Sequence, residues 1–154
     1  MPGPFQFDQH LLPTLPGTYA LILRCDRPLV LVAGRLAPAA LAPGLYVYVG
    51  SARGPGGLRG RVSRHLRANK RMHWHIDALT ALAPIVRVWH VESAERRECR
   101  WVGALRALLG VTVPIAGFGA SDCACDAHLL ALAADGLAAA WAALGSPAEI
   151  ILSP

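Results

Sequence analysis

The chain contains three tyrosines, Tyr19, Tyr46 and Tyr48, and all of them fall in two short segments rich in β-formers. Gly17-Thr18-Tyr19 opens one segment and Tyr48-Val49-Gly50 closes the other. Downstream, Arg61 and His65 stand four residues apart, a spacing that puts both on one helix face. Glu95 and Glu98 follow. A tyrosine, an arginine, a histidine and a carboxylate together suit metal-assisted hydrolysis of a phosphodiester. The carboxylate holds a divalent ion that polarises the phosphate. The arginine stabilises charge developing on the phosphoryl oxygens. A tyrosine, helped by histidine or metal, takes a proton from water. Free tyrosine titrates near ~10, so that role needs a site that lowers it.

The elements that must position these groups follow from the pattern. Residues 1–16 are Pro-rich and weakly patterned and read as an irregular arm. Gly17–Cys25 reads as a strand, Asp26–Pro28 as a turn, and Leu29–Ala33 as the returning strand of a hairpin. Arg35–Pro43 reads as a connection. Gly44–Gly50 is a strand whose alternation puts Leu45, Val47 and Val49 on one face. Tyr46 and Tyr48 then lie on the other face, and Tyr19 and Tyr48 each read as a tyrosine exposed on one face of a glycine-flanked strand. After the Ser51–Gly57 loop, Leu58, Val62 and Leu66 recur every fourth residue and mark a helix over Leu58–Arg67. A second helix is expected over His73–Leu82, ended by Pro84, then a strand over Ile85–Val91. Ala94–Leu109 reads as a helix capped by Ser93 and closed by Gly110. Val111–Ile115 is a candidate strand, and residues 134–154 form an alanine-rich tail packed on the domain. The order implies a small α/β fold over residues 17–133. Its central sheet has three or four mainly antiparallel strands flanked by helices.

Composition narrows the class. The 154 residues are 54% hydrophobic and 16% charged, which excludes disorder over most of the chain. No apolar run approaches the ~18 residues of a spanning helix. The N-terminus lacks a basic segment followed by an apolar one, so a cytoplasmic protein without membrane partners is expected. The net charge is +5. Seven of the fifteen basic residues fall between Arg53 and Arg71 with no acid among them. Arg53, Arg59, Arg61, Arg64, Arg67, Lys70 and Arg71 make the electrostatic footprint of a polyanion binder. All but Arg61 are candidate backbone contacts to nucleic acid. The plainer reading is a solvated helix face.

Two further clusters stand out. His73 and Asp77 are one helical turn apart, so a carboxylate can orient the imidazole. With His75 they form either a substrate-facing element or a hydrogen-bonded clamp between helices. Cys99, Cys123, Cys125 and His128 offer a zinc-type donor set. The Cys-x-Cys spacing is tighter than usual, however, and favours reading these residues as small buried hydrophobes.

Taken together these motifs resemble the GIY-YIG nuclease superfamily. Gly17-Thr18-Tyr19 looks like its first element and Tyr48-Val49-Gly50 like its second. The Tyr48–Ala52 stretch and Gly60–His65 are similar to the homing-endonuclease members, with Ser51 after the second glycine. The chain from Gly17 to Leu130 resembles an uncharacterised branch. It shares that branch's Tyr46–Ala52, Arg64–Leu66, His73–Asp77 and Ser121–Leu129 elements. The resemblance implies a DNA endonuclease using Mg²⁺ or Mn²⁺. Tyr19, Tyr48, Arg61 and His65 would be catalytic, and Glu98 would be the metal ligand, with Glu95 as a rival. Gly50, Ser51, His73, His75 and Asp77 would support the site, and Arg53 would supply charge in place of a lysine. Thr18, where isoleucine is usual, reads as a packing variation. Relatives joined to base-excision glycosylases imply DNA repair and a glycosylase partner. The competing reading is an inactive nucleic-acid- or metal-binding module on the same scaffold.

Overall fold

A computed structural model describes residues 7–120 and 123–152. The sheet is larger than the sequence predicts. Five strands run in the order β6-β4-β1-β5-β7, and every neighbouring pair is antiparallel. They are β1 (Gly17–Cys25), β4 (Gly44–Ala52), β5 (Ile85–Glu92), β6 (Leu129–Ala131) and β7 (Ala148–Ile151). The expected hairpin of β1 with the next segment does not form. Leu29–Leu31 (β2) pairs instead with Ala39–Leu41 (β3), inside the supposed connection, as a separate two-stranded sheet. Turn residues mark where a chain reverses, not which strand it will join. Of the candidate strand over Val111–Ile115, only a single bridge from Thr112 to Ala131 exists.

The alternation along the strands sorts two cores. Tyr19, Leu21, Leu23, Tyr46 and Tyr48 face Leu58 and Val62 of α1 (Gly57–Leu66) and Ile76 and Leu79 of α2 (His75–Thr80). Ala20, Ile22, Val47, Val49 and Trp89 face Trp101, Val102 and Leu105 of α3 (Glu98–Arg106). Ala140 of α4 (Leu137–Ala143) completes that side. The domain is thus a helix–sheet–helix sandwich. Each Leu or Ile buried this way contributes about 1.5–3 kcal/mol. Stripping either helical layer would therefore outweigh a net stability of about 5–15 kcal/mol.

The predicted face assignment holds, but the exposure does not. Tyr19 is 1% and Tyr48 9% exposed, because α1 and α2 cover the face that the pattern left open.

Candidate active site and cysteine cluster

Tyr19 and Gly50 are directly paired across β1 and β4. A Cβ on residue 50 would sit 2.4 Å from the Tyr19 hydroxyl, so only glycine lets that ring lie over β4. The hydroxyl is then held 2.7 Å from Nε2 of His65 on α1. Both groups are buried. Burial pushes the Tyr19 phenol well above its usual value, and the nearby Tyr48 adds to this. Burial, together with Lys70, pushes His65 down to about 3, so its imidazole is neutral near pH 7. Nδ1 of His65 is buried without a partner. The His65 ring lies edge-on to Tyr48, at 6.2 Å between centroids.

In front of this pair lies a cleft of about 600 Å³. It opens where β6 stops, since β6 pairs only with Tyr46–Tyr48 of β4. Tyr48, Gly50 and Ser51 of β4, Arg61 of α1, His73 before α2 and Glu98 of α3 all line it. The body of α3 packs on the opposite face of the sheet from Tyr48, yet its first residue reaches the same cleft. Oε2 of Glu98 is buried with no hydrogen-bond partner. Glu95, by contrast, is 70% exposed and lies 4.0 Å from Arg100. Burial pushes the Tyr48 phenol up to about 12, with Arg61 opposing. Tyr46 is not part of the cleft; its hydroxyl donates to the Ala42 carbonyl at 2.6 Å. A cavity of about 810 Å³ beside the N-terminal segment is lined by Asp8, His10, Arg59 and Arg67 and contains no tyrosine.

The start of α3 depends on long-range hydrogen bonds that local pattern does not reveal. Ser93 does not cap a helix over Ala94–Leu109. Its hydroxyl accepts from Glu95 N and Arg97 Nε. Arg53 donates through Nη1 to the Ser93 and Ala94 carbonyls and through Nε to Ser51. Thr18, fully buried, accepts the Arg97 backbone N–H at 3.3 Å. Thr18 and Arg53 therefore hold the residues just before Glu98, and Thr18 is more than a packing variant. Its polarity beside the apolar run Ala20–Leu23 was the signal.

The basic segment divides. Arg59 donates to the Gln9 and Leu12 carbonyls and ties down the N-terminal arm. Arg64 makes a two-pronged pair with Asp77 at 3.0 and 3.1 Å and also reaches the Arg71 carbonyl. Lys70 donates to the His65 carbonyl. Arg67 and Arg71 are exposed. Arg61 and Arg64 lie 4.5 and 4.2 Å from the Trp74 ring centroid, within cation–π range.

Asp77 itself forms the clamp, through the His73 backbone and not its imidazole, while His73 and His75 line the cleft. Its carboxylate takes the backbone N–H groups of His73 and Trp74 and the Arg64 fork. It is fully buried. Burial alone would raise its pKa, but the Arg64 and backbone hydrogen bonds win and hold it at about 2. These bonds shorten α2 to His75–Thr80, because His73 and Trp74 are drawn into its N-terminal cap. His75 accepts the Gly119 backbone N–H at 3.0 Å. Gly119, at φ +69°, abuts Tyr48; a Cβ there would lie 2.9 Å from the ring.

The cysteines correct the sequence reading most sharply. Cys25 alone is buried; Cys99 is exposed, and Cys123 and Cys125 are partly so. The donor atoms of Cys99, Cys123, Cys125 and His128 all lie within 4.8 Å of one another, a group that could hold a metal ion. Burial, then Cys99 and Cys123, push the Cys125 thiol up to about 12. The four residues were named in sequence, but the tight Cys-x-Cys spacing argued against a site that Cys99 completes from a different element. The neighbouring Ser121 and Asp122 lie outside the described residues.

Fold and cleft define an α/β sandwich with a polar, arginine-lined cleft at a sheet edge. The model of a domain of unknown function, DUF123, matches residues 18–145, and the chain belongs to that family. No curated protein and no solved structure matches it. Among the described residues no helix is long and apolar enough to cross a membrane.

Proposed function

We propose that this protein is a metal-dependent endonuclease of the GIY-YIG type, hydrolysing phosphodiester bonds in DNA. The observation that carries the reading is the meeting of Tyr48, Arg61 and Glu98, from three elements, in one cleft. A partnerless buried carboxylate oxygen on Glu98 suits a hydrated Mg²⁺ or Mn²⁺, since Mg²⁺ typically takes one or two carboxylates and keeps several waters. When bound, such an ion supplies Lewis-acid polarisation of the phosphate. Arg61, steadied on Trp74, presents its guanidinium to phosphoryl oxygens on which charge develops. Tyr48 keeps its proton at neutral pH and orients the attacking water by hydrogen bonding. It becomes a base only when nearby positive charge lowers its phenol. Tyr19 and His65 do not line the cleft; they act as positioning residues that hold α1 and the Tyr48 ring in register. DNA repair, in company with a base-excision glycosylase, is the setting we infer from the sequence resemblance.

The test is incubation of the pure protein with nicked, branched and single-stranded labelled DNAs, with Mg²⁺ or Mn²⁺ and with chelator. Cation-dependent cleavage is the expected result. Binding without cleavage on every substrate would favour an inactive binding module.

A further inference from the structure

Cys99, Cys123 and His128 of the cysteine cluster line the same cleft as Tyr48, Arg61 and Glu98. Cys99 sits in the first turn of α3, Cys123 and Cys125 lie on the loop before β6, and His128 immediately precedes β6. A tetrahedral zinc ion with Zn–S near ~2.3 Å and Zn–N near ~2.0 Å spaces three sulfurs and one nitrogen roughly 3.5–3.8 Å apart. The four donor atoms already lie within 4.8 Å of each other, so small side-chain rotations bring them to that size. Cys123 Sγ lies 3.1 Å from His128 Nε2.

The histidine is also braced as a metal-binding histidine normally is. Its Nδ1 lies 3.1 Å from the Val49 carbonyl and donates to it, which leaves the Nε2 lone pair facing the sulfurs. Its backbone is pinned as well: His128 N donates to Phe118 O at 2.7 Å and Val49 N donates to His128 O at 2.9 Å. Three thiols cannot all pair as disulfides with one another. Soft sulfur donors with one imidazole select zinc over magnesium or calcium.

We propose that Cys99, Cys123, Cys125 and His128 bind one Zn²⁺ in a closed tetrahedral site that ties the start of α3 to the loop before β6. Four protein ligands leave no open position, so the site is structural. Each thiol gives its proton to solvent on binding. Because Glu98 precedes Cys99 and Gly119 abuts Tyr48, the ion fixes one wall of the cleft without entering the reaction.

The full chain, expressed with zinc and purified in reductant without chelator, is measured by elemental analysis and native mass spectrometry. One zinc per chain is expected. It should be lost in Cys99→Ser and Cys123→Ser and kept in Cys25→Ser, whose thiol is buried elsewhere in the core. To guard against ligand variants that fail to fold, wild-type protein is also produced with Co²⁺. It should then show the strong visible bands and sulfur-to-cobalt charge transfer of tetrahedral thiolate coordination. Zinc-free folded wild type without thiolate–cobalt absorption would overturn the proposal. So would zinc that survives both ligand substitutions. Neither readout uses DNA cleavage, so a failed nuclease assay leaves this result standing.

Discussion

The two walls of the cleft are built on opposite principles. On the α1–α2 side the charged groups pair within the chain, while Ser63 Oγ and His65 Nδ1 are buried without partners. Asp77 accepts the Arg64 fork and two backbone N–H groups, and the Tyr19 hydroxyl meets His65. On the α3 side the polar atoms lack strong protein partners. Glu98 presents a partnerless oxygen, and three thiols and an imidazole crowd together. A wall closed by its own hydrogen bonds gives rigidity, and a wall of free donors gives affinity for cations. Preorganised catalysis needs both, because a site held only by its ligand would have to be assembled at the cost of binding energy.

The largest expected effect breaks the self-sufficient wall. Asp77→Ala leaves Arg64 without its partner and frees two backbone N–H groups. Breaking a buried pair costs about 3–5 kcal/mol. Urea unfolding should show a loss on that scale, whereas Glu98→Gln should leave stability within about 0.5 kcal/mol of wild type. Equal losses in the two variants would erase the contrast between the walls.

A smaller effect comes from pH. His65 is held neutral in the folded protein down to about 3, while unfolded histidine titrates at about 6.5. The unfolded state therefore binds the extra proton as pH falls, and stability declines from about pH 6.5 downward. The slope due to His65 should approach about 1.4 kcal/mol per pH unit between about pH 4 and 6. Half-buried His90, also lowered by burial, adds in the same direction. Asp77, held at about 2, loses its contribution only lower, as pH falls from about 4 through 2. His65→Phe should flatten the upper part of the curve. An unchanged slope would mean that His65 is not buried as described.

The smallest effect sorts the arginines. Removing an arginine that touches a DNA phosphate should reduce the salt dependence of binding by about one unit. Arg67→Ala and Arg71→Ala should each do so. Arg59→Ala should not, because its guanidinium is engaged by the Gln9 and Leu12 carbonyls. A flatter slope in Arg59→Ala would return that residue to the proposed DNA surface.

How much of this was legible in the sequence depends on the range of the interactions involved. The β1 and β4 strands, the α1 stripe of Leu58 and Val62, and the shared face of Tyr46 and Tyr48 are local periodicities, and they read correctly. Pairing is not local. Nothing in Leu29–Leu31 says that it prefers Ala39–Leu41 to β1, and the alanine-rich tail hid β7, which joins the edge of β5. The start of α3 moved to Glu98 because Arg53 takes the Ser93 and Ala94 carbonyls and Thr18 takes the Arg97 N–H, groups that a helix from Ala94 would use in its first turn. Glu98 was named through the family resemblance, with Glu95 as its rival, and it is Glu98 that lines the cleft. The cysteine group was visible only as four residue names, since closing it requires α3 to approach β6 from the far side of the sheet.

The central claim, that Glu98 is the metal carboxylate of a hydrolytic cleft, is tested most directly by measuring cleavage and DNA binding side by side for Glu98→Gln and Glu95→Gln. The substitution at Glu98 is nearly isosteric and removes one negative charge. Turnover should fall on the order of 10²-fold or more, the usual scale for such electrostatic groups, while DNA affinity holds or rises slightly. Glu95→Gln, at an exposed position, should retain most activity. Full cleavage by Glu98→Gln, whether or not Glu95→Gln loses it, would contradict the account.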